Sequence, residues 1–407
     1  MHRPAFASWL SQTNDVTQTF LAAGRIPGLI NLAGGLPDPS VWPVAALAEQ
    51  ARSAVADHPG DTLAYSPIDG LPGLRDVIAR RFSRGGLRLT RENVMITTGG
   101  MQALDLVGKV LLDPGDAIAA QAPAYLGALD AWMPRAPAYR PMRLEANDVD
   151  ITGCMAGAKF AYTVPNFSNP TGRLVGVDQR RALVDAANAT GCWLVEDDPY
   201  GALYYDDDPL PRLLDISAGD RPGSSQDESC DGPYDGPVIY LGTLSKELAP
   251  GLRIGWVIAA TEMITALTTA KQGSDMFTSG ICQRIAQGAL EDRLPEQILP
   301  DILSLYRDRR DALCAAMAEH LPDLYDWEVP SGGMFVWAVA RDARLDTDRL
   351  MTRGLDHGVC ISPSSVFDPE GRDRRATRLN FTLNPPDKLA EGIRRLAEAT
   401  RAEMAAL

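Results

Sequence analysis

Thr243-Leu244-Ser245-Lys246-Glu247-Leu248-Ala249-Pro250-Gly251-Leu252-Arg253-Ile254-Gly255-Trp256 is the stretch from which the rest of the chain can be read. Of the 39 basic residues in the sequence only five are lysine (Lys109, Lys159, Lys246, Lys271 and Lys388), and the rest are arginine. A composition this poor in lysine nevertheless sets one here, among small residues, between two hydroxyls and an arginine. A lysine amine condenses with an aldehyde, which a guanidinium does not do. The hydroxyls of Thr243 and Ser245 and the N–H fork of Arg253 are groups that hold a phosphate. An imine-forming amine beside a phosphate cradle suits pyridoxal 5'-phosphate, which offers an aldehyde at one end and a phosphate at the other.

The stretch lies between two short apolar runs, Val238 to Leu241 and Trp256 to Ala259. Similar runs are Val94 to Thr98, Ala117 to Ala120, Phe160 to Val164 and Trp193 to Glu196. Helical patterns separate them; Met101 to Leu112 is one, stopped by Pro114-Gly115-Asp116. The alternation predicts an α/β fold built on a mostly parallel sheet with both faces covered. In such sheets the chemistry gathers at the carboxyl ends of the strands. From about residue 291 the pattern changes to a long helical stretch (Pro300 to His320), the segment Trp327 to Ala340, the strand-like Arg378 to Thr382 and a terminal helix from Asp387. This predicts a smaller α+β domain. Ala218 to Pro237, rich in Gly, Ser, Pro and Asp, reads as a surface loop.

Composition sets outer bounds. A chain of 407 residues is long enough for two domains, and 45% apolar with 23% charged residues is ordinary for a globular protein. A formal charge of −14 argues against nucleic acid as a partner, because a phosphate backbone calls for a basic surface. No apolar run approaches the roughly 18 residues of a membrane span, and Met1-His2-Arg3-Pro4 does not open a signal peptide. The six cysteines are scattered, with no CxxC pair, which favours reduced thiols in a cytoplasm over disulfides or a zinc site.

Four further motifs follow or open strand-like runs. Gly99-Gly100-Met101-Gln102 begins a helix, where free N–H groups bind phosphate. Ser168-Asn169-Pro170-Thr171-Gly172 aims an amide that can donate to a phenolate-like oxygen. Glu196-Asp197-Asp198-Pro199-Tyr200 offers a carboxylate that can keep a pyridine nitrogen protonated, and a hydroxyl three residues on. Arg378-Leu379-Asn380-Phe381-Thr382 brings a fork for an α-carboxylate. Each has a plainer reading alone: a Gly-Gly turn, an Asn-Pro turn, a helix-capping aspartate, a surface arginine. Their order along one chain, in step with Lys246, argues against coincidence.

These residues resemble the fold-type I pyridoxal-phosphate aminotransferases of class I/II, in the branch with 2-aminoadipate and kynurenine aminotransferases and the aminotransferase-like domain of MocR regulators. The motifs that carry the resemblance are Ala33-Gly34-Gly35-Leu36-Pro37, Tyr65-Ser66-Pro67, the Asn-Pro-Thr-Gly run, Glu-Asp-Asp-Pro-Tyr, Ser245-Lys246 with Arg253, and Ser331-Gly332-Gly333-Met334-Phe335. They run from about Asn31 to Thr382. The resemblance implies the fold-type I architecture: a large domain (46–290) with a mainly parallel seven-stranded sheet, a small C-terminal α+β domain (291–407), and an N-terminal arm (1–45) joining the latter. It implies Lys246 as the Schiff-base lysine and proton shuttle, Asp197 at the pyridine nitrogen, and Asn169 and Tyr200 at the 3-oxygen. Tyr125 would stack on the ring; Gly100, Met101, Ser245 and Arg253, with Thr243 close by, would hold the phosphate. Tyr65 would reach the neighbouring subunit's phosphate, making a homodimer with shared sites. Arg378 would take the substrate carboxylate, with Asn169 and the Gly34-Gly35 turn nearby.

Two departures bear on these roles. Relatives usually carry Ser-Gln where this chain has Gly100-Met101, so backbone contacts replace side chains there. Counting back from Gly34, Gln18 takes the place of an arginine that pairs with the side-chain carboxylate in aminoadipate- and glutamate-using relatives; Arg25 is the other cation nearby. An amide at that place points to a neutral or aromatic donor. The expected activity is ping-pong transfer of an amino group between an α-amino acid and a 2-oxo acid such as 2-oxoglutarate or pyruvate. A β-lyase, an oxidase or a cyclising synthase would use the same cofactor motifs. A cofactor-binding sensor of a transcription regulator is the reading from another class; such regulators carry a winged-helix module ahead of this part, and about 30 residues precede Asn31 here.

Overall fold

The computed structural model describes residues 4–12, 16, 19, 22, 26–146, 149–219 and 233–407. Gln18 and Arg25 lie outside the described residues, as does most of the expected loop from Ala218 to Pro237. Seven strands form the central sheet: β2 (Val94–Thr97), β3 (Ala117–Gln121), β4 (Ala138–Met142), β5 (Phe160–Thr163), β6 (Trp193–Asp197), β7 (Val238–Thr243) and β8 (Gly255–Ile258), in the order β2-β8-β7-β6-β5-β3-β4. Only β8 runs against its neighbours, pairing antiparallel with β2 and β7; the other pairs are parallel. The mainly parallel, seven-stranded expectation therefore holds. Six of them, all but β4, are buried throughout or nearly so, and apolar side chains fill both faces, which is why they read as continuous apolar runs rather than alternating ones.

Six of the seven strands were legible as such runs. The seventh, β4, carries Tyr139, Arg140 and Pro141 and lies at the sheet edge, where a proline and a charge are tolerated. The helix expected from Met101 spans Gly100–Leu111. The one expected from Pro300 begins earlier, at Leu294, and continues to His320 with Pro300 inside it; Pro295, near its start, is the proline that the opening turn accommodates.

A four-stranded antiparallel sheet follows in the C-terminal part, in the order β12 (Ser362–Pro363), β13 (Ala376–Asn380), β10 (Phe335–Ala340), β9 (Tyr325–Trp327). The helices Leu294–His320 and Pro386–Met404 pack on each other beside it. The N-terminal β1 (Ile30–Asn31) pairs with β11 (Val359–Cys360). This pairing brings the Ala33–Leu36 turn to the face where the central strands end. Because β2, β3, β5, β6 and β7 point the same way, Thr97, Gln121, Thr163, Asp197 and Thr243 share that edge.

Candidate active site

A cavity of about 450 Å³ opens at this edge. Its lining includes Gly34, Gly35, Gly100, Met101, Tyr125, Asn169, Asp197, Tyr200, Thr243, Ser245, Lys246, Arg253 and Arg378. The residues given site roles from the sequence are thus drawn into one place, except Tyr65; Gln18 and Arg25 lie outside the described residues. Tyr65 is 84% exposed, outside its own chain's cavity, with its ring edge-on to Phe277.

The three carboxylates at the end of β6 divide by strand geometry. Glu196 faces away from the cavity and accepts the first N–H groups of the helix Leu213–Gly219, from Leu213 and Leu214, both at 2.9 Å. Asp198 accepts from Asn166 (2.7 Å) and from the Tyr240 hydroxyl (3.0 Å). The capping role is real, but it belongs to Glu196. Asp197, between them, faces the cavity with one oxygen held by the Tyr162 hydroxyl at 2.8 Å. Burial pushes its pKa up to about 7, against the pull of the Tyr162 hydrogen bond, and the Asp198 charge adds to the rise.

Lys246 leaves the β7 end and donates from Nζ to the Gly35 carbonyl at 2.7 Å. Burial lowers its pKa to about 8, and the Arg378 and Arg253 charges push in the same direction. Arg378 is buried, sandwiched against the rings of Phe335 and Phe367 at 4.4 and 4.7 Å. It donates to Asn169 Oδ1 (2.6 Å) and the Ala33 carbonyl (2.5 Å), while its buried Nε has no partner among the described residues. Asn169 in turn donates to the Tyr200 hydroxyl at 3.4 Å.

The other end of the cavity is built from backbone. The helix Gly100–Leu111 starts without a side-chain cap on its N–H groups. Gly99, at φ +79°, leaves room for the Arg253 guanidinium: a Cβ there would stand 2.4 Å from its Nη2. Gly255 brings β8 against the same turn, its own Cβ position 2.8 Å from the Gly99 carbonyl carbon. Thr243 and Ser245 hydroxyls bond each other at 2.9 Å beside it.

Residues 27–396 match the family described as aminotransferase class I and II. The chain is 36% identical over 387 residues to aromatic-amino-acid aminotransferase 1 of Thermococcus litoralis, covering 92% of this chain and 89% of that one. It is 34% identical to the 2-aminoadipate transaminase of Thermus thermophilus, over 93% of this chain and 92% of that one. A crystal structure of Pyrococcus horikoshii kynurenine aminotransferase superposes with a TM-score of 0.87 at 32% identity, covering 98% of this chain and 97% of that chain. The chain belongs to the class I and II aminotransferase family. It is a pyridoxal 5'-phosphate-dependent transaminase with the fold-type I architecture.

Two features of this aminotransferase were missed in the sequence. Tyr162 sits inside an apolar strand run and looked like core; its place opposite Val195, from which its hydroxyl reaches Asp197 two residues on, shows otherwise. Asp130, on the helix Leu126–Trp132, lines the cavity with no hydrogen bond or ion pair among the described residues, and burial raises its pKa. A lone polar residue in a helical pattern carries no signal of that kind.

Proposed function

We propose that the cavity holds pyridoxal 5'-phosphate along the line from Arg253 to Asp197 and moves the amino group of a neutral or aromatic α-amino acid to a 2-oxo acid such as 2-oxoglutarate or pyruvate. The observation that carries this is charge. Lys246, Arg253 and Arg378 all face the cavity, and none has a carboxylate partner among the described residues. Three such cations suit a bound phosphate and a substrate carboxylate, and a cavity of this kind would repel a cationic ligand.

The residues fit the cofactor at both ends. The uncapped N–H groups of Gly100 and Met101, the Ser245 and Thr243 hydroxyls and Arg253 take the phosphate. Asp197, whose Oδ1 has no protein partner among the described residues, holds the proton of the ring nitrogen. Tyr125 covers the ring, and Asn169 and Tyr200 donate to its oxygen. When bound, the cofactor supplies an electron sink for charge that develops at the substrate α-carbon.

Lys246 anchors the cofactor and, once displaced by the incoming amine, its Nζ takes the proton from the substrate α-carbon. A pKa near 8 leaves a useful fraction of the amine neutral at physiological pH. Arg378, with the Asn169 amide and the Gly35 turn beside it, fixes the α-carboxylate so that the α-hydrogen points at Nζ. Asp130 bears on the donor: a carboxylate without a cation partner disfavours a second carboxylate on the substrate side chain, in line with Gln18 where acid-using relatives carry arginine.

The domain reading follows the topology: 1–45 as an arm tied to the small domain, supported by the pairing of Ile30 with Val359, then 46–290 and 291–407. Exposed Tyr65 supports a homodimer in which it reaches the partner's phosphate. Free cysteines and the lack of a helix able to cross a membrane, among the described residues, fit a cytoplasmic place. The test is a half-reaction screen that watches the bound cofactor's absorbance as each amino acid is added. Neutral and aromatic donors should convert it fastest and 2-aminoadipate slowly; no conversion with any donor, together with no borohydride-fixed cofactor on Lys246, overturns the reading.

A further inference from the structure

Asp197 can serve a ring nitrogen only if it stays charged and aimed, and its surroundings work against the first condition. It is buried to 7% exposure. The titratable and charged groups around it are Asp198 and Tyr200 on its own segment, Tyr162 on β5, Tyr125 from the turn after β3 and, across the cavity, Lys246, Arg253 and Arg378. No cation among the described residues is bonded to it, and the neighbouring carboxylate repels its charge. Among the described residues, the one group that stabilises the charged form by direct contact is the Tyr162 hydroxyl, at 2.8 Å from Oδ2.

Tyr162 is itself fully buried and held from two sides. Its ring meets Trp132 edge-on, with centroids 5.1 Å apart and planes at 84°. The Trp132 Nε1 donates to the Leu104 carbonyl at 2.8 Å, on the helix whose N-terminus forms the phosphate end of the cavity. Gly108 on that helix permits the approach, since a Cβ there would stand 2.5 Å from Trp132 Cδ1. A chain of contacts therefore runs from the helix Gly100–Leu111 through Trp132 and Tyr162 to Asp197. A tyrosine kept this rigid has a single place to put its proton.

We propose that Tyr162 is a positioning residue for transamination: its hydroxyl occupies Oδ2 of Asp197, keeps that carboxylate ionised and leaves Oδ1 as the oxygen that meets the cofactor's ring nitrogen. This rests on the reading that Asp197 pairs with that nitrogen. Tyr162 does not touch the cofactor, and its effect passes through Asp197 alone.

The test compares wild type, Tyr162→Phe, Asp197→Asn and the double variant. Apoprotein is titrated with pyridoxal 5'-phosphate, followed by tryptophan fluorescence, from about pH 5 to pH 9. The wild type should lose affinity toward acid as Asp197 protonates, and in Tyr162→Phe that midpoint should lie about one pH unit higher, the shift expected from a lost hydrogen bond to a charged group. The half-reaction should slow by roughly 10-fold or more with KM for the amino acid nearly unchanged, because Arg378 is untouched. In the Asp197→Asn background the same substitution should do nothing further. Equal losses in both backgrounds, or a midpoint that does not move, overturn the proposal. If wild type binds no cofactor, or Asp197→Asn matches wild type throughout, the underlying reading of Asp197 fails instead.

Discussion

Two groups of opposite sign line the cavity, and each carries a pKa moved toward neutrality: Lys246 down to about 8, Asp197 up to about 7. In the proposed reaction the neutral amine of Lys246 is the base, so half-reaction rates should climb as pH rises through about 8 and level off above it; stopped-flow absorbance at saturating donor would show the limb. Lys246→Arg keeps the charge, yet it should remove covalent attachment and slow transfer by at least about 1000-fold, since a guanidinium neither condenses with an aldehyde nor gives up its proton. For Asp197 the sign is the reverse. Its folded pKa lies above the unfolded value of 3.8, so the folded apoprotein binds the extra proton, and its stability contribution is lost as pH rises through about 7. Asp197→Asn should therefore raise the apoprotein's melting temperature at pH values above about 7, with the gain fading below about pH 4. A calorimetric scan in which the variant melts lower than wild type at alkaline pH would contradict this. Lys246, Asn169, Asp197, Tyr200 and Arg378 were legible because polar groups at the ends of apolar runs stand out. Tyr162 and Asp130 were not, because their meaning lies in what the fold sets beside them.

At the scale of elements, the phosphate end depends on three segments meeting where side chains leave no room: the turn before Gly100, the start of β8 and the 3-10 turn that ends at Arg253. Arg253 itself adopts φ +52°, which aims its guanidinium back over Gly99. Gly99→Ala places a methyl against that guanidinium and forces a positive φ on an alanine. Cofactor affinity should fall by roughly 10- to 100-fold, while the half-reaction rate at saturating cofactor changes little, because Lys246 and Asp197 are untouched. Equilibrium dialysis of the variant reads the first quantity and stopped-flow the second. The Gly-Gly motif could be read in the sequence as a phosphate turn; that β8 must also carry a glycine at 255 could not, because the reason is an antiparallel pairing of strands about 160 residues apart. Likewise β4 escaped notice because edge strands need no apolar run.

At the scale of the molecule, ion pairs tie the C-terminal part to what precedes it, among them Arg309 with Asp38 at 2.5 Å, Arg310 with Asp206, and Arg173 with Glu328 at 2.8 Å. One apolar cluster also continues from the central sheet to Ile302, Phe335 and Leu379. The two parts thus close on the cavity from a shared base. What the single chain leaves open is the side near Tyr65. Leu63 is 66% exposed and Tyr65 84%, with Met276 and Phe277 alongside, which is more apolar surface than isolated side chains on a monomer explain. A second copy is the proposed occupant, and on that proposal the site is incomplete without it, because each Tyr65 hydroxyl would complete its partner's phosphate cradle. Sedimentation should give twice the chain's 43.9 kDa. Leu63→Asp should break the dimer and, with it, weaken cofactor binding, whereas Tyr65→Phe should leave the dimer intact and lower cofactor affinity by about 10-fold, the loss of one hydrogen bond to a charged phosphate. A monomer that binds cofactor as tightly as wild type would remove Tyr65 from the site altogether.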